Sequence, residues 1–394
     1  MRLGIVTALL FSAFIYLNEY DFHVKLVDTL FGLSALALFL YIPKKSVLIA
    51  GFFIGIFWFY WIGYSFQYTG VGYLTPIITI LFAFIYMLFF GILALTNSVY
   101  IRAILLFLLS YFEPFDFNWM QIELLFVNSY IGIEKYQLII VLISLSLPAY
   151  INNRYKFMPL LLLLFAINYH QPQQEKAPLH IKLVATHIKQ EDKWQEKNFL
   201  PTVELGFNEI ESAIANKYDM IVFPESFFPI YMNHYPKLIK ILQSYSKDIT
   251  IITGSLFSQN HIHYNVTYMF QDGEYQIAKK MILVPFGEYI PLPSFMRDFI
   301  NNSFFAGEAD FQTAKKPTDF IVKGVKFRNA ICYEATCQEL YDGNVKYMIA
   351  TSNNAWFAPS IEATLQKLLM QFYARKNGTT IYHSANYKGT GVIQ

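Results

Sequence analysis

The charged residues of this chain are so unevenly distributed that its two parts must fold in different surroundings. Residues 1–169 contain 15 Lys, Arg, Asp and Glu side chains, whereas residues 170–394 contain 43. Several apolar runs in the first part approach the roughly 20 residues that a membrane-spanning helix needs. We therefore predict a helical membrane domain of about seven spans over 1–169, a polar linker over 170–178, and a second domain over 179–394.

The apolar runs also predict where the spanning helices lie. A cleaved signal peptide is the alternative for the first run, but the sequence that follows lacks a small-x-small cleavage site. A transporter is the alternative for the whole domain, and it would keep ionisable residues facing its interior. Glu134 and Lys135 fall inside the sixth run, where we interpret them as marking a helix boundary. The predicted helices are 3–18, 24–42, 46–66, 72–95, 99–112, 124–148 and 157–169.

The loops between these helices alternate in charge. Cytoplasmic loops are enriched in Lys and Arg, so the basic loops indicate the inner side of the membrane. This places the N-terminus inside and the second domain outside. The basic residues are Lys44, Lys45, Arg102, Arg154 and Lys156, and the acidic ones in the opposite loops are Glu113, Asp116 and Glu123.

The second domain alternates short apolar strands with amphipathic helices, which is typical of a layered α/β fold. Asp-Gly turns between neighbouring strands indicate hairpins and hence mixed sheets. The near-zero net charge gives no indication of nucleic-acid binding. Strands are predicted at 181–186, 220–225, 249–257, 265–270, 274–284, 319–334, 347–353 and 379–386, and helices at 198–217, 235–245 and 361–377.

Three of these strands end in residues that could perform nucleophilic chemistry. Glu225 follows one, Lys280 lies in the second, and Cys332 ends the third. A carboxylate base activates a cysteine thiol, and a lysine ammonium stabilises the oxyanion formed when the thiol attacks a carbonyl. Glu288 lies eight positions after Lys280, and Glu334 two positions after Cys332 on what we predict to be the same strand face. Together these residues predict an acyl-transfer site.

Each of these residues also has a structural interpretation. A single strand cysteine is more often a buried apolar side chain, and Cys332 and Cys337 would point to opposite strand faces and form no disulfide. His261 and His263 have no third ligand at a suitable spacing, so we predict no metal site. A Cys–His dyad that uses His383 is the remaining alternative, although nothing in the sequence orients that histidine.

The order of Glu, Lys and Cys, each associated with an apolar strand, resembles the nitrilase superfamily. Its members use this triad to form a thioester with the acyl group of the substrate, on a four-layer αββα sandwich. The segments "FPESFFP", "AKKMILVPFGEYIPLP", "ICYEATC", "ATSNNAWFAPS" and "HIKQEDKW" are similar to segments of the bacterial apolipoprotein N-acyltransferase family. That family also places a bundle of spanning helices before its catalytic domain, and the resemblance covers nearly the whole chain.

The resemblance implies a role for particular residues. Cys332 matches the nucleophile, Glu225 the general base, and Lys280 the residue that stabilises the tetrahedral intermediate. Cys337 matches no catalytic position, and we interpret it as structural. Supporting positions of the active site are matched by Glu288, Tyr333, Glu334 and Trp194, the last being an aromatic residue on a mobile arm of the family.

The resemblance also implies a reaction. A phospholipid donates an acyl chain to the cysteine, and the α-amino group of the diacylglyceryl-cysteine of an apolipoprotein then attacks the thioester. No cofactor or metal is expected. We expect a monomer in the inner membrane, with its catalytic domain on the periplasmic face. Members normally continue beyond a segment like the final "ANYKGTGVIQ", which implies that a C-terminal part is missing here.

Two other functions stay open from the sequence. A membrane-tethered amidase or nitrilase would hydrolyse a small C–N bond with water as the acceptor, and it would have a small, polar pocket. A membrane scaffold that has lost activity would have an unfolded or protease-sensitive outer domain.

Overall fold

We describe a computed structural model of the chain, covering residues 1–169, 172–285, 287–289 and 311–394, with the side chain of Thr69 left out. The contacts divide the chain into two compact units, Met1–Gln171 and Pro172–Gln394. Each unit is described separately.

The described residues of the first unit form helices and the loops that join them. Short 3₁₀ helices extend the third and fourth α-helices or connect the others, the longest being Tyr60–Thr69 and Met158–Ala166. The α-helices are α1 (Arg2–Glu19), α2 (Lys25–Tyr41), α3 (Lys44–Phe59), α4 (Thr75–Gly91), α5 (Val99–Leu109) and α6 (Lys135–Ser146).

Three continuous helices of this unit are long and apolar enough to cross a membrane. They are Arg2–Glu19, Lys44–Tyr68 and Gly72–Leu95. The predicted seventh helix is instead the nine-residue 3₁₀ helix Met158–Ala166, which is not among these three. The count of about seven spans stays a prediction.

The sixth predicted helix begins eleven residues too early in our prediction. Helix α6 starts at Lys135, and Glu134 caps its N-terminus through reciprocal bonds with Gln137. Lys135 pairs with the buried Glu123 at 2.5 Å. Residues 117–127 are buried within the protein, where they form loops and 3₁₀ turns, and the apolar residues 124–127 that we assigned to the helix lie among them. Composition alone does not separate burial in protein from burial in lipid.

Arg102 is a second difference from the prediction. We counted it among the basic loop residues, although the predicted helix 99–112 includes it, and it lies in α5 with 2% of its surface exposed. Its guanidinium donates to the carbonyl of Ile42 at 2.6 Å and to those of Leu93 and Thr96 at 3.1 Å. These carbonyls lie at helix ends that lack intrahelical partners. Arg102 therefore ties the end of α2 to the α4–α5 connection.

The second unit contains two five-stranded mixed sheets. The first has the order β1-β2-β3-β4-β5 and the second the order β10-β9-β8-β7-β6. The predicted strand 319–334 is a hairpin of two strands followed by a 3₁₀ turn. The strands are β1 (Ile181–Leu183), β2 (Met220–Val222), β3 (Thr250–Gln259), β4 (Ile262–Gln271), β5 (Glu274–Lys279), β6 (Asp319–Val322), β7 (Val325–Ile331), β8 (Tyr347–Asn353), β9 (Thr380–Asn386) and β10 (Gly391–Ile393).

The two sheets pack face to face, with one layer of helices outside each. Apolar side chains of β2 and β3 share a core with those of β7 and β8, including Val222, Ile252, Phe327 and Ile349. A separate core joins the other face of the first sheet to its helices. This confirms the predicted nitrilase-like αββα arrangement. The helices are α7 (Gln190–Lys193), α8 (Phe199–Ala215), α9 (Pro236–Tyr245) and α10 (Glu362–Asn377).

Candidate active site

Glu225 lies in a tight turn that follows strand β2. The carboxylate accepts hydrogen bonds from the Asn265 side chain at 2.8 Å and from the backbone amide of Asn353 at 2.9 Å. Its side chain is 10% exposed. The next residue, Ser226, has a φ of 47°, in the left-handed region that few residues adopt. Two different strands thus hold this carboxylate in one orientation.

Gly254 in strand β3 permits the close approach of this turn. Its amide donates to Pro224 and its carbonyl accepts from Phe228, each at 3.3 Å. A Cβ atom at this position would lie 2.3 Å from the amide nitrogen of Ser226 and 2.7 Å from the Cα of Glu225. No side-chain rotation relieves a clash with backbone, so a larger residue must move the turn.

We therefore expect Gly254→Ala to lower both stability and activity. The overpacked strand should lose about 1–3 kcal/mol of unfolding free energy, and the displaced carboxylate should slow turnover by up to about 100-fold. Ser258→Ala, in the same strand, is the control and should stay within about 0.5 kcal/mol of wild type. Thermal unfolding and turnover measured on both variants test this. A fully active Gly254→Ala protein would contradict the geometry.

Lys280 follows strand β5 and is almost completely buried, with 1% of its side chain exposed. Its ammonium lies 2.7 Å from a Glu288 oxygen and 3.9 Å from a Glu225 oxygen. Burial alone would lower the pKa of Lys280, but Glu288 and Glu225 outweigh burial and raise it. Asn265 donates to both carboxylates, at 2.8 Å to Glu225 and 3.2 Å to Glu288. The lysine is therefore a fixed cation between two oriented carboxylates.

Cys332 stands directly after strand β7, at a sharp turn. Its φ is 55°, and it opens a 3₁₀ turn that runs to Thr336. We predicted Glu334 on the strand, but it lies in this turn. Its carboxylate accepts from the amides of Ile331 at 2.7 Å, Met281 at 2.5 Å and Ile282 at 3.1 Å. Glu334 thereby ties the cysteine turn to the segment that follows Lys280.

Burial and the nearby charges decide whether the thiol of Cys332 is protonated. The residue keeps partial exposure, but burial of its sulfur, followed by the charge of Glu225, raises the pKa of the thiol, while Lys280 opposes that rise. The resting cysteine is thus a thiol, and it needs a base at the moment of attack. The amide nitrogen of Gln366 lies 3.6 Å from the sulfur. Tyr333, the next residue, is buried.

Lys193 is a residue of this site that the sequence did not reveal to us. It is 4% exposed, and its ammonium donates to the backbone carbonyl of Glu225 at 3.0 Å. Burial lowers the pKa of Lys193 to about 8, against the opposing charges of Glu225 and Cys332. The available signal was its position directly before Trp194. That tryptophan is 47% exposed and lies just after α7.

The histidines and the second cysteine, which the sequence raised as alternatives, have contacts of their own. Both ring nitrogens of the buried His383 have partners, Ser352 and Gly389, at 2.8 Å, so the imidazole is not paired with Cys332. His261 and His263 are exposed in a hairpin. No group of three potential metal-ligating side chains occurs among the described residues. Cys337 is buried and its thiol contacts the carbonyl of Tyr333 at 3.4 Å.

Comparison with known proteins decides the family. Residues 1–169 match the model of the apolipoprotein N-acyltransferase integral membrane domain, and residues 182–388 match that of the carbon-nitrogen hydrolases. The apolipoprotein N-acyltransferase of Wolinella succinogenes is 41% identical over the whole chain and 95% of its own length. The chain belongs to the apolipoprotein N-acyltransferase family. The family resemblance seen in the sequence is confirmed, and the chain is an acyltransferase of the nitrilase superfamily.

A second relative agrees with this membership. The apolipoprotein N-acyltransferase of Helicobacter hepaticus is 35% identical, and the match covers 96% of each chain. Among solved structures, a CN-hydrolase superfamily protein from Xanthomonas campestris is similar to 56% of this chain, with 77% of its own length covered, a TM-score of 0.41 and 14% identity. Membership of the family also makes this chain a membrane protein.

Proposed function

We propose that this chain transfers an acyl chain from a membrane phospholipid to the α-amino group of the diacylglyceryl-cysteine of an apolipoprotein, through a thioester on Cys332. One observation carries the proposal: a carboxylate, a buried ammonium and a thiol meet at strand ends in a chain that also has a membrane domain. Its relatives, which are named apolipoprotein N-acyltransferases, support the same reaction. The reaction needs no cofactor or metal, and a monomer suffices for it.

In the first half-reaction, Glu225 removes the thiol proton of Cys332 while the sulfur attacks the ester carbonyl of the phospholipid. Lys280 stabilises the negative oxygen that forms, because its remaining N–H groups are available beyond the bond to Glu288. The carbon–oxygen bond then breaks, and Glu225 returns the proton to the departing lysophospholipid alkoxide. The products are a thioester and a lysophospholipid.

In the second half-reaction, the acceptor amine attacks the thioester and Glu225 takes a proton from its nitrogen. The carbon–sulfur bond breaks, and the proton passes to Cys332. Glu334 positions the cysteine turn, and Glu288 holds Lys280. The half-exposed Trp194 and the buried Tyr333 are proposed supporting residues, with Trp194 available to contact the acceptor.

We propose an inner-membrane location with the second unit on the periplasmic face. Contacts within the first unit support a location of its basic segments at one end of the helices. Lys44 donates to Leu95 at 3.2 Å, and the Tyr150 hydroxyl lies 3.2 Å from the amide of Tyr100 near the start of α5. These contacts bring the basic segments at 44–45 and 150–156 to the same end as Arg102. The positive-inside rule assigns that end to the cytoplasm.

Reporter fusions test this orientation. A fusion at His180 should be active only with a periplasmic reporter, and a fusion at Lys45 only with a cytoplasmic one. A cytoplasmic His180 would contradict the orientation and separate the site from outer-leaflet lipoproteins.

The reaction itself is tested with purified protein, phospholipid vesicles and a synthetic diacylated lipopeptide. We expect the lipopeptide to gain the mass of one acyl chain. A membrane-tethered amidase would instead hydrolyse small amides and leave the lipopeptide unchanged. An inactive scaffold would do neither.

A further inference from the structure

Glu362, the first residue of α10, is a buried carboxylate for which the reaction above has no use. Only 2% of its surface is exposed. One of its oxygens, Oε2, is fully buried and has no hydrogen-bond partner in the part of the chain that the structure describes. Leaving a buried carboxylate oxygen unpaired is costly, so such a group indicates that a partner is absent.

The face of α10 that carries Glu362 is directed at the nucleophile. Gln366 lies one turn further along, and residues four apart share a helix face. Its amide nitrogen lies 3.6 Å from the sulfur of Cys332, and its amide oxygen accepts from Asn354 at 3.2 Å. Glu362 itself interacts electrostatically with both Cys332 and Glu225. The unpaired oxygen of Glu362 therefore belongs to the helix face that contacts the reacting sulfur through Gln366.

We propose that Glu362 binds the ammonium of the incoming amino group and removes its first proton, which makes the site selective for an amine over water. This inference rests on the proposed function. A free α-amino group is mostly an ammonium at neutral pH, with a pKa near 8, and an ammonium has no lone pair with which to attack. Two protons must leave that nitrogen before an amide is complete, whereas Glu225 carries only one of them to sulfur.

The proton balance is as follows. Burial, and then the charge of Glu225, raises the pKa of Glu362 to about 8, so the resting group is a carboxylic acid. When the ammonium binds beside it, the pair loses one proton to water, because a neighbouring cation favours the carboxylate. The remaining proton is shared between groups of similar pKa, so the reactive form, a neutral amine beside a carboxylic acid, is readily reached.

The later steps use the groups already described. The amine lone pair forms the nitrogen–carbon bond, its second proton passes to Glu225, and the carbon–sulfur bond breaks with its electron pair on Cys332, which is then protonated. The other charged groups near the sulfur are Lys193 and the pair formed by Lys280 and Glu288, which lie 2.7 Å apart. Further along α10, the charge of Lys367 acts on the buried His383 of β9; Glu362 lies on a different turn.

Glu362→Gln in the full-length protein tests the proposal by separating three rates. The substitution keeps the shape of the side chain and removes its ability to accept a proton. Acyl-enzyme formation from phospholipid, followed by mass spectrometry, should stay within about 2-fold of wild type. Release of the acyl group by hydroxylamine, an amine that is uncharged at neutral pH, should also be unchanged. Both rates report a folded site with a competent Cys332.

Transfer to a saturating diacylated lipopeptide should behave differently. At pH 7 the variant should be about 10-fold slower than wild type, because about one-tenth of an α-amino group with a pKa near 8 is uncharged at that pH. At pH 9 the two rates should converge. Glu339→Gln, at an exposed carboxylate of the second unit, is the control and should match wild type throughout.

Three results would overturn the inference. Equal slowing of all three rates would make Glu362 a structural residue. An unchanged transfer rate at pH 7 would show that the amine needs no help from it. If wild-type protein takes no acyl group from phospholipid, the proposed function fails first, and the role of Glu362 falls with it.

Discussion

Cys332→Ser should form no acyl-enzyme when incubated with phospholipid. An alcohol is far harder to deprotonate than a thiol, and the thiol of Cys332 is itself held protonated by burial and by Glu225. Glu225 therefore lacks the strength to activate a hydroxyl at the same position. We expect the acyl adduct to fall below detection, a loss of more than about 10³-fold if the other contacts persist.

Cys337→Ser is the matched control for this experiment. Cys337 is the other cysteine of the chain, and its buried thiol contacts the carbonyl of Tyr333. The variant should keep nearly all of the adduct, with a small loss of stability from placing a hydroxyl in an apolar site. If the adduct persists in Cys332→Ser and disappears in Cys337→Ser, the nucleophile is Cys337 and our assignment is wrong.

Glu225→Gln should slow both half-reactions by at least about 100-fold, the usual contribution of a general base. The same carboxylate takes the thiol proton first and the amine proton later, so neither half-reaction escapes. An amide also presents an N–H group where the Asn265 side chain and the backbone amide of Asn353 donate, and where the Lys280 ammonium lies 3.9 Å away. One of these donors loses its acceptor, which should cost about 1–3 kcal/mol of unfolding free energy.

Single-turnover measurements separate these effects. Acyl-enzyme formation and decay in Glu225→Gln are compared with those of Glu204→Gln, at an exposed carboxylate of α8. Thermal unfolding of both variants measures the stability loss independently. If Glu225→Gln slows acyl-enzyme formation but not its decay with an amine, another group deprotonates the acceptor, and the double role of Glu225 is wrong.

The sequence predicts the second unit well where a strand carries a clear apolar pattern. Strand β8 has the predicted bounds 347–353, and the long helices differ by one or two residues at their ends. The reactive residues were visible because each follows an apolar strand, β2 and β5 in the first sheet and β7 in the second. These local signals depend only on neighbouring residues, so they survive without knowledge of the tertiary structure.

The residues that the sequence did not predict act across long separations. Lys193 contacts a carbonyl 32 residues away, and Asn265 joins two carboxylates 40 and 23 residues distant. The pattern of the helix that contains Glu362 predicts a buried face, but it does not show that this face packs against Cys332. In the first unit, composition did not show that residues 117–127 are buried in protein and not in lipid. It showed the charge of Arg102 but not its burial.

The most direct test of the central claim is to find the acyl group itself. Wild-type protein incubated with phospholipid vesicles, without an acceptor, should gain the mass of one acyl chain. Proteolysis and mass spectrometry should place that mass on the peptide that contains Cys332, and hydroxylamine should remove it, as expected of a thioester. An unmodified protein, or an acyl group on any other residue, would contradict the proposed mechanism.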